Sequence, residues 1–156
     1  MTTQIDPRGA RFAAAVTATV LAVVLLTSPG PAATGLLAFQ TAVFALGAGL
    51  GVQRTPYAAL FRSLVRPRLG PPHELEDAAP PRFAQAVGLG FSLVGLVALL
   101  SSATTIGLVA VGFAFAAALL NATTGFCLGC EAYLLIKRAT TRPTTRTTTT
   151  TTSVGG

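Results

Sequence analysis

The residues with the most chemistry in this chain are Cys127 and Cys130, its only two cysteines, set three apart in GFCLGCEAY at 125–133. A C-x-x-C pair can act as a redox dithiol, form half of a metal site, or be two small apolar residues that pack. Covalent haem attachment needs a histidine directly after the second cysteine, and Glu131 stands there. Zinc takes about four ligands. Beyond the pair the chain offers its single histidine, His73, so zinc would need a second chain or a partner. The sequence implies no cofactor and assigns no metal ligand. A redox or sulfur-transfer dithiol and a structural pair both remain open, and so does whether the protein is an enzyme. His73, beside Glu74, reads as a solvated side chain, with a metal-ligating or pH-sensing role as the alternative.

The elements that position the pair follow from composition. Half of the residues are hydrophobic (51%), only 10% are charged, and the mean hydropathy is +0.65. Soluble domains carry about 25% charged residues, so this is a membrane composition. The formal charge is +6, but its distribution argues against nucleic acid as the partner. Charges cluster at the N-terminus (Asp6, Arg8, Arg11), in a middle segment (Arg54, Arg62, Arg66, Arg68 and Arg82 against Glu74, Glu76 and Asp77) and at the C-terminus (Glu131, Lys137, Arg138, Arg142, Arg146). Residues 12–53 and 83–130 carry none. About 20 apolar residues cross a bilayer, so each uncharged run holds two spans and a turn.

Pro29, Gly30 and Pro31 break the first run, and SSATT at 101–105 breaks the second. An unbroken helix over 84–122 would be about 57 Å long, nearly twice the bilayer core. The expected architecture is an all-α membrane protein, a four-helix bundle with spans at about 12–28, 34–52, 84–101 and 105–123. Four spans place both termini and the middle segment on one side, together with all 11 basic residues. The positive-inside rule makes that side the cytoplasm and the location the cell membrane. A cleaved signal peptide is the competing reading for Arg8, Arg11 and the first apolar run. GPAATG is a poor cleavage site, however, and three remaining spans would lose the charge agreement.

The middle segment opens with Tyr57, Leu60, Phe61, Leu64 and Val65 at helical spacing, with Arg62 and Arg66 on another face. This predicts a short interfacial helix with arginines turned to lipid phosphates. Pro67, Pro71, Pro72, Pro80 and Pro81 around HELED predict a stiff extended loop, after which Arg82 opens the third span. Gly47 and Gly51 in the second span, and Gly88, Gly90 and Gly95 in the third, predict close helix packing within the bundle, with a dimer seam as the alternative. Gln40, Gln85 and Asn121 are the notable polar side chains at depth, and no ionisable residue lies in a span. Ion-coupled transport usually needs one. Asn121 reads first as an interhelical hydrogen-bonding group. The Thr-rich stretch 140–156 lacks apolar residues for a core and is expected to be a disordered tail, separate from a membrane domain at 1–139.

After the fourth span, Gly125 interrupts the helix. FCLGCEAYLLIKR then reads as a short amphipathic helix ending in Lys137 and Arg138. Cys127 in its first turn would have its thiolate stabilised by free N–H groups, whereas Glu131 opposes a thiolate at Cys130. That asymmetry suits one attacking and one resolving thiol. In a reducing cytoplasm a permanent structural disulfide is not expected.

PPHELEDAAPPRFAQAVG at 71–88, followed by GFCLGCEAY, resembles the bacterial membrane family catalogued as domain of unknown function four-three-nine-five, common in actinobacteria. The resemblance runs from about Asp6 to Arg138. It implies a small integral membrane protein, points to Arg82, Phe83, Gln85, Cys127 and Cys130, and implies no activity.

Three functions fit. The first is a thiol–disulfide or sulfur-relay component, with Cys127 and Cys130 as the working pair and a cytoplasmic thioredoxin- or rhodanese-like partner. The second is a non-enzymatic scaffold or accessory subunit with structural cysteines. The third is a small-solute channel, which would need Gln40, Gln85 and Asn121 around one cavity. Arg82, Phe83, Gln85 and Asn121 are the candidate binding residues. The bilayer is the one certain partner class, and the oligomeric state is not encoded in any feature of the chain.

Overall fold

Asp6 starts the first helix. Its side chain accepts a hydrogen bond from the Arg8 N–H, and Pro7 stands at the first helical position, where its missing N–H costs nothing. In the computed structural model, which describes residues 4–72 and 74–140, this helix is α1 (Pro7–Thr27). It is followed by α2 (Pro31–Leu50), the short α3 (Pro56–Leu60), α4 (Ala79–Leu100), α5 (Thr104–Thr124) and α6 (Leu128–Thr140). Among the described residues, α1, α2, α4 and α5 are the four helices long and apolar enough to cross a membrane. His73 and the Thr-rich stretch from 141 on lie outside the described residues.

The helices begin before the uncharged runs do. α1 takes in Arg8 and Arg11, and α4 starts at Ala79. Pro80 and Pro81 therefore belong to the first turn of α4 rather than to an extended loop, because the first turn needs no N–H donors. Pro67 likewise sits in a helical turn, Arg66–Arg68. Thr140, expected in the tail, is the last residue of α6.

Around the bundle the order is α1, α2, α4, α5 and back to α1, while α6 packs on α4. The half next to the two interhelical turns is filled. Leu21, Val24, Ala33, Leu37 and Val111 form a buried cluster there, backed by Leu36, Leu96 and Leu99. Gly95 serves this packing, since a Cβ on it would lie 2.9 Å from Val111 Cγ2. Gly88 does so further along against Phe44. Gly51 and Gly90 do not: Gly51 ends α2 at φ +97, and neither would meet an atom within 4 Å.

The other end holds both termini of the described chain and the middle segment. β1 (Gln4–Ile5) and β2 (Glu76–Asp77) pair antiparallel and tie the N-terminus to that segment. The middle helix runs on from α3 as a wider turn, Phe61–Val65. Its apolar face divides. Tyr57 and Phe61 are buried against the bundle, Phe61 lying on Gly9 and Phe12, while Leu60 and Leu64 stay exposed. Arg62 donates to the Gln53 carbonyl at 2.8 Å, so it braces the segment rather than standing free for lipid phosphates.

Candidate functional site

Gly125 ends α5. Its φ of +78 is a left-handed conformation that glycine adopts without penalty, and its N–H caps the Asn121 carbonyl at 2.9 Å. The chain turns there and enters α6 across the base of the bundle. Cys127 occupies the capping position just before Leu128, rather than a place inside the first turn. Its carbonyl accepts from the Glu131 N–H at 3.0 Å and its Sγ from the Cys130 N–H at 3.3 Å. Cys130 lies in the first turn.

The two sulfurs are bonded as a disulfide, with Cα atoms 5.1 Å apart. The sequence reading set a permanent disulfide aside. The helix start itself brings the pair within bonding range, because cysteines bridge at Cα separations of about 4.4–6.8 Å. Among the described residues no three His, Cys, Asp or Glu side chains gather as a metal site.

Each of the other expected residues has a definite place. Arg82 reaches across to the end of α2, donating from Nε to the Ala48 carbonyl at 2.7 Å and from Nη2 to the Gly49 carbonyl at 2.6 Å. These carbonyls belong to the last turn of a helix and have no intrahelical donor. Phe83 packs on Tyr133 of α6, with centroids 5.8 Å apart. Gln85 lies over Gly47, where a Cβ would come within 2.7 Å of its Oε1. Asn121 bonds through its backbone carbonyl to Gly125, and its side chain makes no interhelical hydrogen bond among the described residues.

A cavity of about 910 Å³ occupies this half of the bundle. Cys127 and Cys130 both border it, as do Gln85 and Asn121. Its inner end is apolar, with Phe44, Phe91 and Phe113, and its flanks are alanine, including Ala13 and Ala14 on α1 and Ala114, Ala117 and Ala118 on α5. Its polar end carries Arg8, Arg11, Arg62 and Arg66 with Asp6 and Glu76. Small side chains on facing helices leave this volume, whereas leucine and valine fill the other half. Gln40 is not in the cavity wall. It is fully buried, accepting from Tyr57 Oη at 2.6 Å and donating to Thr17 Oγ1 at 3.5 Å. The channel reading needed all three amides around one space, and only Gln85 and Asn121 meet there.

Sequence reasoning missed Tyr57 as a bundle residue, and it missed the alanine-lined cavity. The alanine clusters ARFAAAV and AFAAALLNA were the available signal, since they fall in the halves of α1 and α5 nearest the charged end. The N-terminal half of α4 and the start of α6 also interlock. A Cβ on Gly129, between the two cysteines, would stand 2.6 Å from Ala84 Cβ. The segments PRFAQ and FCLGC are thus two sides of one contact.

Over residues 5–138 the chain matches the family described as Domain of unknown function (DUF4395), and it belongs to that family. Searches of the curated proteins and of the solved structures found no match.

Proposed function

We propose that this multi-pass member of a family without an assigned activity is a membrane thiol–disulfide or sulfur-relay component, working through Cys127 and Cys130. The observation that carries the reading is the bonded pair at the start of α6, bordering a cavity instead of packing into a closed core. In the exchange, the Cys127 thiolate attacks a disulfide sulfur of the partner and releases one partner thiolate. The Cys130 thiolate then attacks Cys127 Sγ, frees the partner's second sulfur and closes the Cys127–Cys130 bond. The partner is reduced by two electrons and this chain is oxidised by two. Run backwards, the same steps let a dithiol partner reduce the pair.

The charge distribution supports a cytoplasmic site in the cell membrane, with both termini inside, and hence a thioredoxin- or rhodanese-like partner. A Cys130→Ser variant is expected to trap a mixed disulfide with such a partner, released by dithiothreitol. If the cysteines stay reduced from strong reductant through to diamide and no mixed disulfide forms, the reading is wrong. An impermeant thiol reagent applied to each side of sealed vesicles tests the topology, with labelling expected only from the inner face.

A scaffold is the second reading. It is favoured by the way Arg82, Phe83, Ala84 and Gly129 are all taken up in holding α2, α4 and α6 together. Replacing both cysteines by alanine would leave a scaffold working, and deleting 67–82 would not. The thiol reading expects the double alanine variant to be inactive.

A further inference from the structure

The interior cavity shares a wall with a second space. A groove of about 570 Å³ lies on the outer face of the bundle between α4 and α5. Val87, Phe91 and Phe113 border both spaces. Phe91 and Phe113 face each other with centroids 6.0 Å apart. Phe113 is 61% exposed on a surface that meets lipid. Each stands about 17–18 Å along its helix from the charged end, near the middle of a hydrocarbon core about 30 Å thick. The ring pair therefore separates the bilayer interior from the cavity that holds the disulfide.

We propose that the cavity binds a lipid-soluble quinone, which enters from the bilayer between Phe91 and Phe113 and oxidises the Cys127–Cys130 dithiol. The proposal rests on the thiol–disulfide reading above and supplies its electron acceptor. Four observations support it. The volume falls in the range of about 300–1,000 Å³ typical of small-molecule sites. Its inner walls are aromatic and methyl surfaces suited to a flat ring, with the prenyl tail leaving through the gap toward lipid. Gln85 and Asn121 border it with amide N–H groups that can donate to ring carbonyl oxygens. The cysteines stand in its wall.

An anionic amphiphile would set its headgroup among the four arginines of the polar end, away from the uncharged inner end with Phe44, Phe91 and Phe113, and three of the four are already engaged. Arg8 pairs with Asp6, Arg11 donates to the Thr123 carbonyl, and Arg62 donates to that of Gln53. An uncharged headgroup fits better. The balance closes within the site: the two thiols lose two electrons and two protons and form one S–S bond, and the quinone gains both pairs and becomes the quinol. A soluble dithiol partner then re-reduces Cys127–Cys130 by exchange.

The test uses the full chain in lipid nanodiscs, reduced, desalted and kept anaerobic, with decylubiquinone as the probe. One quinol is expected per disulfide closed. Ala118→Phe, which fills the cavity, should slow quinol formation at least tenfold while leaving mixed-disulfide formation with thioredoxin unchanged. Asn121→Leu, similar in size, should slow it about tenfold, the equivalent of about 1.4 kcal/mol, and covers the case in which the phenylalanine variant does not fold. Ala38→Phe, on the outward face of α2, should have no effect. If thioredoxin is trapped but decylubiquinone is not reduced, the quinone proposal falls and the thiol reading stands. If neither reaction occurs, both fall. Equal rates in wild type, Ala118→Phe and Asn121→Leu would place the reaction at solvent-exposed thiols and overturn the proposal. Thermal stabilisation by oleate and none by decylubiquinone would make the cavity an anionic-lipid site and overturn it as well.

Discussion

Gly129 lies directly on Ala84: a Cβ built on the glycine would stand 2.6 Å from the alanine Cβ and 2.7 Å from its Cα. This contact sets the distance between α6 and α4, and so fixes where the disulfide sits against the bundle. The glycine between the cysteines is a packing requirement. Phe83 on Tyr133 closes the same joint one helical turn away.

Gly129→Ala is therefore expected to push α6 off α4. Overpacking of this kind costs about 1–3 kcal/mol, to be read as a lowered thermal midpoint of the purified protein in detergent. Ala84→Gly alone removes a methyl and should cost less than the crowding does. Combined with Gly129→Ala, it removes the clash with the alanine Cβ but not the one with its Cα, so it should restore only part of the loss, giving a non-additive cycle. A wild-type midpoint for Gly129→Ala would show that α6 is not held by this contact.

Arg82 makes a second joint, between α4 and the end of α2. Its two donors meet two carbonyls that the helix leaves unpaired, a geometry that a planar guanidinium fits and a single ammonium does not. Arg82→Ala should cost about 1–2 kcal/mol, below the usual range for two bonds to a charged donor because the side chain is exposed. Arg82→Lys should recover only part of that. Chemical unfolding in a fixed detergent, comparing the three proteins, decides it, and equal stability of lysine and arginine would argue against the paired geometry.

Much of this fold can be read from where charge is absent. The runs 12–53 and 83–130 dictate four spans, because a charge at mid-bilayer is expensive and a helix pair is the shortest way to use such a length. The helix starts needed a different signal. Asp6-Pro7 and Ala79-Pro80-Pro81 place proline in the first turn, and counting uncharged residues overlooks it. The cavity was harder to see. α5 carries apolar and small residues all round, so the sequence alone does not tell which alanines turn inward. Gln40 could not be matched with Tyr57 because their contact depends on the middle helix folding back onto the bundle.

Asp6 links stability to acid. The Arg8 side-chain hydrogen bond, helped by the Arg8 N–H, holds its carboxyl below the usual value of 3.8. A depressed folded-state pKa contributes stability above the unfolded value and loses it as pH falls through the folded one. The expected loss therefore lies below about pH 4 and is absent from Asp6→Asn, which keeps a capping oxygen. At neutral pH that variant should lie within about 1 kcal/mol of wild type, whereas Asp6→Ala loses the cap and costs about 1 kcal/mol. Unfolding series at neutral and acid pH compare the three. An identical acid response in wild type and Asp6→Asn would remove Asp6 as its source.

Tyr57 carries the sharpest test of how the middle helix meets the bundle. Its hydroxyl donates to Gln40 Oε1 at a fully buried position, and Gln40 in turn donates to Thr17 on α1. Tyr57→Phe keeps the ring and leaves a buried amide oxygen without a donor, which costs about 1–3 kcal/mol. Adding Gln40→Leu removes the stranded oxygen and should return part of the loss, so the double variant is expected to be more stable than Tyr57→Phe alone. Burial also pushes the Tyr57 hydroxyl up from 10.0 to about 12. Since the folded pKa is the higher one, this contribution is intact below pH 10 and fades as pH rises toward about 12. Alkaline unfolding in that window should be weaker in Tyr57→Phe, and the tyrosinate absorbance of wild type should include a step near pH 12 that the variant lacks. If the step is missing from wild type, Tyr57 faces water, and the middle helix lies on the bilayer surface rather than against Gln40.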